Sequence, residues 1–144
     1  MNHKGAIMEY SKERMDDLMR AYDEYISSCD YIRMSEVYKI IVNMPSRRFW
    51  VSDIRAALII SAMMRGKTDL STMCPLKKEM YEEIYNRVFK LQEEYPELTI
   101  SELCAKVIAQ PAPKFYLTPG SAKVMVCKAR KQWIQEKWKR LRLL

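Results

Sequence analysis

The sequence contains little glycine, proline or histidine, and each shortage excludes a class of structure or site. Three glycines and six prolines occur in 144 residues, which leaves few of the tight turns that a protein built of β-hairpins needs. The single histidine is His3, so the side chain most often used as a general base is missing from the rest of the chain. These absences favour an all-α protein and argue against a histidine-dependent enzyme.

Short motifs that would indicate a cofactor, a metal or a catalytic site are also missing. The four cysteines, Cys29, Cys74, Cys104 and Cys127, stand 45, 30 and 23 residues apart, too far for a zinc knuckle or a redox pair, and we expect them to be small buried residues. No glycine-rich phosphate loop, GxSxG or HExxH sequence occurs. The chain is therefore predicted to be non-enzymatic, with no cofactor and no metal.

No apolar run in the sequence approaches the roughly 18 residues of a membrane span, and the first twelve residues, MNHKGAIMEYSK, do not resemble a signal peptide. We therefore expect a cytoplasmic protein without a membrane partner. Hydrophobic residues make up 49% of the chain, which is enough to fill the core of one compact domain over residues 1–144.

Apolar residues at helical spacing, together with start and stop signals, predict six helices. The predicted helices run from about Met8 to Cys29, from Ser35 to before Pro45, from Ser52 to Gly66, from Pro75 to Glu94, from Thr99 to Pro111, and from Thr118 almost to Leu144. Ser35, Ser52, Thr99 and Thr118 are the predicted N-caps. A capping box, T-x-x-E, supports the start at Thr99.

A twelve-residue pattern occurs twice, as PSRRFWVSDIRA from position 45 and as PAPKFYLTPGSA from position 111. At the offset of 66 residues, conservative matches also align the preceding helices. The offset predicts an internal repeat of two tandem three-helix units, residues 8–66 and 75–144, that pack together. In each unit a proline ends the short helix, and Phe49 or Phe115 is predicted to be an equivalent core anchor.

The short helix, turn and capped helix of each unit resemble a helix-turn-helix only loosely. About eight residues, Met44 to Val51, replace the usual turn of three or four. The first turn of the third helix offers Arg55 as its one suitable side chain for reading bases. Packing explains this arrangement better than groove reading does.

The repeated segment also places cations beside aromatic rings. Arg47 and Arg48 flank Trp50 in the first copy, and Lys114 stands next to Tyr116 in the second. Cations next to flat rings suit phosphate contacts combined with base stacking. The alternative is an ordinary surface with a partly buried tryptophan, and the sequence leaves both open.

The strongest feature is the last predicted helix. Residues 120–144 contain eight basic side chains and one acidic side chain, Glu136, so they hold the whole net charge of +7. Ile134, Trp138 and Leu141 form a stripe, joined by Trp133. The predicted contact residues of this extended basic helix are Lys128, Arg130, Lys131, Lys137, Lys139, Arg140 and Arg142.

A basic amphipathic helix suits a phosphate backbone, an anionic membrane surface or an acidic groove in another protein, or it packs back on its own domain. We favour nucleic acid, and DNA over RNA, with Arg47, Arg48, Trp50, Lys114 and Tyr116 as secondary contacts. The alternative function is an interaction adaptor, or an oligomerising module that pairs with a second copy of the chain.

The segment QPAPKFYLTPGSA and the following KARKQW resemble small α-helical proteins encoded by Bacteroidales phages and integrated mobile elements. The resemblance covers mainly the second half of the chain. It implies an accessory or regulatory role associated with DNA, and it assigns no particular binding residue.

Overall fold

The computed structural model describes residues 4–67 and 72–142, which form six α-helices. The helices are α1 (Lys4–Ser28), α2 (Met34–Ile41), α3 (Asp53–Met64), α4 (Pro75–Glu94), α5 (Ile100–Ile108) and α6 (Pro119–Arg142). Within these ranges, the one strand-like pairing is an isolated bridge between Ser46 and Ala112. The all-α class predicted from composition is confirmed.

Three of the four predicted N-caps are confirmed by hydrogen bonds. Ser52 accepts from the backbone N–H of Arg55 at 3.1 Å, Thr99 from Glu102 at 3.2 Å, and Thr118 from Ser121 at 3.1 Å. Each bond satisfies a backbone donor that the first turn of a helix leaves without an intrahelical partner.

The predicted N-cap at Ser35 is wrong. The N-cap of α2 is Arg33, whose carbonyl accepts from the N–H groups of Glu36 and Val37 at 2.9 and 3.2 Å. Ser35 is therefore the second residue of the helix. The helix also ends at Ile41, four residues before Pro45, so the proline follows the end of α2 without itself ending it.

The six helices form two compact units, and each is described separately. Unit 1 comprises residues Met1–Met44 and Leu117–Leu144, and its helices are α1, α2 and α6. Unit 2 comprises Pro45–Tyr116 and contains α3, α4 and α5. In unit 1, α6 packs on both α1 and α2, whereas in unit 2, α3 packs on both α4 and α5. Each unit thus combines two consecutive helices from one half of the chain with the third helix of the other half.

Each unit has its own apolar core. In unit 1 the fully buried side chains include Leu18, Ala21, Val37, Ile41, Ala122 and Val126. In unit 2 they include Phe49, Ala56, Ile60, Ile84, Val88, Leu103 and Val107. Phe115 is also buried, at 4% exposure. The predicted burial of both repeated phenylalanines is therefore confirmed.

Several apolar residues lie outside these cores, against expectation. The spacing of Val37, Ile40 and Ile41 predicts that all three point inward from α2, but Ile40 is exposed. Of the four free cysteines, Cys104 is buried, Cys29 is half-buried, and Cys74 and Cys127 are exposed. Cys74 is the N-cap residue of α4, and Cys127 directly follows the buried Val126 on α6.

Candidate nucleic-acid interface

The second half of α6 is exposed along its whole length. Ala122 and Val126 are buried and Ala129 is half-buried, but every residue from Arg130 to Arg142 is exposed. The face of α6 that packs on α1 and α2 therefore ends near Ala129. We call residues 130–142 the exposed segment of α6.

The first residue of the exposed segment lies close to α2. Burial raises the pKa of Tyr38, the thiol of Cys127 raises it further, and the positive charge of Arg130 opposes both effects. α6 packs on α2 as well as on α1, so Arg130 stands where the packed part of the helix ends. The following cations lie progressively farther along the helix.

All seven cations that the sequence assigned to this helix are exposed. Within the described ranges, none of them forms an ion pair with an acidic side chain. The one acidic residue of the exposed segment is Glu136. The positive charge of α6 is therefore not neutralised by carboxylates of the described part of the chain.

The cations lie on both sides of an apolar stripe. At 3.6 residues per turn, Ile134, Trp138 and Leu141 fall on one face of the helix. Lys131 and Arg142 lie along one edge of this face, and Arg130 and Lys137 lie along the other edge. Trp133, at 62% exposure, and Trp138, at 61%, are as accessible as the charged residues around them.

An open groove of about 1480 Å³ runs between α1 and the exposed segment. Its wall on α6 carries both tryptophans together with Arg130, Lys139, Arg142 and Glu136, and its wall on α1 carries Met15, Met19, Lys12, Asp16 and Asp23. Counted by charge, the α6 wall is net positive and aromatic, whereas on the α1 wall two carboxylates outnumber one lysine. A phosphate is attracted to the α6 wall and repelled by the α1 wall.

The predicted secondary contacts lie in unit 2, where Arg48 and Lys114 are held by their own surroundings. The Arg48 guanidinium donates to the carbonyls of Phe49 and Val51, both at 3.2 Å, and its Cζ lies 5.2 Å from the centre of the Trp50 ring. Lys114 forms an ion pair with Glu79 at 2.5 Å, and its Nζ lies 5.5 Å from the centre of the Tyr116 ring. Arg47 is exposed.

Tyr116 belongs to a packed cluster and is half-buried. Its ring stacks on Phe49 with 6.1 Å between ring centres, and Arg87 lies over the Phe49 ring at 4.9 Å. Its backbone φ of +56° is in the left-handed region, which is uncommon for an aromatic residue. Burial, with contributions from Glu83 and Glu79 and opposed by Arg87, raises the pKa of Tyr116 to about 12.

The guanidinium of Arg87 holds the segment around residue 111 in place. It pairs with Glu83 at 2.9 Å and donates to the Pro111 carbonyl at 2.9 Å and to Gln110 Oε1 at 3.3 Å. The pair of Arg87 with Glu83 spans one helical turn. The bonds of Arg87 to Gln110 and Pro111, and the pair of Glu79 with Lys114, were not predictable because these partners stand 23 to 35 residues apart along the chain. No local pattern reports such a pairing.

No helix in the ranges 4–67 and 72–142 is long and apolar enough to cross a membrane. Comparison with protein-family models, with curated proteins and with solved structures finds no match for this chain.

Proposed function

We propose that this chain is a non-enzymatic nucleic-acid-binding protein that binds DNA in preference to RNA, and that the exposed segment of α6 is its main contact surface. The observation that supports this is the accessibility of seven cations that no carboxylate of the described residues neutralises. Each phosphate that such a cation neutralises releases a counterion, which is the main source of affinity in sequence-independent binding.

We call the segment that joins the short helix to the next helix in each copy the hinge, and its residues are expected to contribute less to binding. Arg48 and Lys114 are already bonded within unit 2, so a phosphate would have to replace existing partners. Trp50 and Tyr116 are half-buried and offer less ring surface for stacking than the indoles of α6. We therefore place the main phosphate contacts on Lys128, Arg130, Lys131, Lys137, Lys139, Arg140 and Arg142, and keep Arg47, Arg48 and Lys114 as secondary contacts.

We also infer that the chain is a duplication with an offset of 66 residues. In support, the packing of α1, α2 and α6 has a counterpart in that of α4, α5 and α3. Ser46 and Ala112, which are equivalent at this offset, exchange two backbone hydrogen bonds of 3.0 Å with each other. We further propose that, within each copy, the short helix before the hinge and the helix after it form an arrangement that loosely resembles a helix-turn-helix. The resemblance to phage and mobile-element proteins favours an accessory or regulatory role.

Salt-dependent DNA binding tests the proposal directly. A chain cut after Gln132 loses Lys137, Lys139, Arg140 and Arg142. The slope of log K against log salt, measured by fluorescence anisotropy on duplex DNA, should then fall by about 3 to 4 units.

The matched control replaces four exposed lysines of unit 2, Lys67, Lys77, Lys78 and Lys90, with glutamine. It removes the same number of cations, four, and should change the slope by less than about one unit. An unchanged slope in the cut chain would exclude α6 as the contact surface.

The alternative function is an interaction module whose α6 docks on an acidic partner or on a second copy of the chain. The exposure of Ile134 and Leu141 favours it, because aliphatic side chains gain little from phosphates. Failure of the intact chain to bind DNA or RNA at low salt would support this alternative. Sedimentation of the same sample then distinguishes self-association from docking on another protein.

A further inference from the structure

Two of the three tryptophans of the chain are exposed on the same short segment of helix. Trp133 and Trp138 expose 62% and 61% of their surface, whereas Trp50 is half-buried beneath Arg48. An exposed indole is unfavourable in water, because its large apolar faces remain hydrated. A pair of them between cations therefore indicates a ligand that offers both flat rings and negative charge.

We propose that the exposed segment of α6 binds single-stranded nucleic acid, with Trp133 and Trp138 as stacking platforms for unpaired bases. This inference rests on the proposed function and narrows its substrate class. In a duplex the faces of the bases are covered by their neighbours, and a protein meets only base edges and phosphates. An indole can stack only where bases are unpaired and spread apart.

The placement of the two indoles fits a strand that runs along the helix. They are five residues apart, which is about 7 Å along the helix axis, and they lie on opposite sides of Ile134. The ammonium group of Lys137 lies 5.0 Å from the centre of the Trp133 ring. Arg130 and Lys131 lie within one turn of Trp133, so phosphates next to a stacked base meet a cation.

The groove between α1 and α6 gives the strand an orientation. Asp16 and Asp23 line its α1 wall together with a single cation, Lys12, so this wall is net negative. These carboxylates repel phosphates, whereas they accept hydrogen bonds from the amino groups of bases. The sugar-phosphate chain is therefore expected along the cationic edges of α6, with the bases turned toward the indoles and the groove.

The charge of the segment argues against a second copy of the same helix as the occupant. Residues 130–142 contain six basic side chains and one acidic side chain. Two such segments lying side by side would repel each other along their whole length. Binding of a polyanion removes this repulsion. The exposed indole faces favour a polyanion that also carries flat rings, which is a nucleic acid.

The test compares the full-length chain with Trp133→Ala, Trp138→Ala and Ile134→Ala on two probes. The probes are an oligothymidine of about 16 nucleotides and a DNA hairpin duplex of similar length, both measured by anisotropy at one moderate salt concentration. Each tryptophan variant should weaken binding to the single strand by about 5- to 150-fold. Neither variant removes a charge, so the affinity for the duplex should change by less than about 2-fold.

Ile134→Ala is the matched control. It removes apolar surface from the same stripe without removing a ring, so stacking predicts less than about a 2-fold loss on the single strand. Trp133→Phe retains a ring and should keep most of the affinity. Binding of oligothymidine to the unaltered chain should also quench indole fluorescence. All four side-chain changes lie on exposed positions, and thermal melting should confirm that each variant is folded.

The possible failures are distinguishable. Equal losses on the single strand and the duplex, or a loss for Ile134→Ala that matches the tryptophan variants, would overturn the stacking proposal and leave nucleic-acid binding intact. Absence of salt-dependent binding to both probes would overturn the proposed function as well. Binding only to phosphatidylcholine vesicles that contain phosphatidylserine, with a blue shift of indole emission, would overturn both and assign the stripe to a membrane surface.

Discussion

Three cation-aromatic pairs of this chain show how the same residue chemistry serves different ends. Arg48 lies over Trp50, Lys114 over Tyr116 and Lys137 over Trp133, at 5.2, 5.5 and 5.0 Å. Arg48 and Lys114 also bond to carbonyls and to Glu79, respectively, within unit 2. Lys137 has no carboxylate partner among the described residues. All three cations contact a ring, so the ring does not distinguish them. A cation that also binds a carbonyl or a carboxylate is less available to a ligand than one that does not.

Phe49 and Phe115 should be the most sensitive single positions tested in unit 2. Phe49 is fully buried and packs against Tyr116, and Phe115 is nearly as buried. Replacement of either by alanine removes buried apolar surface and leaves a cavity, at a cost of about 3 to 5 kcal/mol. Urea unfolding measures this free energy. Phe89→Ala, at a phenylalanine that is 54% exposed, is the control and should cost less than about 1 kcal/mol. A similar small loss at Phe49 or Phe115 would contradict the assigned core.

Tyr116 should make the stability of the protein fall at alkaline pH. Its pKa is about 12 in the folded chain and about 10 in an unfolded one. Between these values the unfolded state releases a proton that the folded state retains, so the free energy of unfolding decreases as pH rises. Below about pH 10 this stabilisation is fully present.

The measurement compares urea unfolding of the unaltered chain and of Tyr116→Phe across this pH range. The advantage of the unaltered chain should shrink from about pH 10 to about pH 12, because phenylalanine has no proton to release. Near-ultraviolet titration gives the difference in phenolate signal between the two proteins. A difference that titrates near pH 10 would show that Tyr116 is accessible to water.

At the scale of single helices, local signals proved sufficient for most boundaries. Ser52, Thr99 and Thr118 were predictable because a cap and its acceptor are three residues apart. Ser35 misled the prediction because any serine before an apolar stripe resembles a cap, whereas the helix had already begun at Met34. The charge and the stripe of α6 were likewise predictable. The end of its packed face near Ala129 was not, since it depends on how far α1 and α2 extend beside it.

Substitutions at Thr99 and Ser35 test directly which of these two residues is an N-cap. Thr99→Ala removes the hydroxyl that accepts from Glu102 and should cost about 1 kcal/mol in thermal or urea unfolding. Ser35→Ala removes no cap and places a better helix former inside α2, so its effect should be close to zero or slightly stabilising. A loss at Ser35 equal to that at Thr99 would restore Ser35 as the cap.

At the scale of the whole molecule, the sequence could give the number and class of the helices but not their partners. The formation of each helix depends on contacts between residues within one turn, and the local sequence pattern shows which residues make them. The choice of α4 and α5 as the partners of α3 depends on contacts between distant parts of the chain. If the halves are copies, α3 and α6 have similar apolar faces, and the pattern does not say which pair of helices each one joins. The same limit hid the ion pair between Lys114 and Glu79.

This exchange of helices predicts that the chain survives a cut between its halves. Unit 1 takes α1 and α2 from one side of residues 68–71 and α6 from the other, and unit 2 takes α3 from one side and α4 and α5 from the other. A protease site inserted in 68–71 and cleaved after folding should leave both fragments in one species on native size exclusion. The fragments should separate only in denaturant.

Cleavage should also change the order of the unfolding reaction. The intact insertion variant is the control, and its melting temperature should not depend on protein concentration because it unfolds as one chain. After cleavage two fragments must meet, so the melting temperature should rise with concentration. A short linker provides an effective concentration in the millimolar range, and its loss should cost about 4 kcal/mol at micromolar protein. Separate elution of fragments 1–67 and 72–144 in native buffer, each folded, would show that consecutive helices pack together and that α3 and α6 are not exchanged.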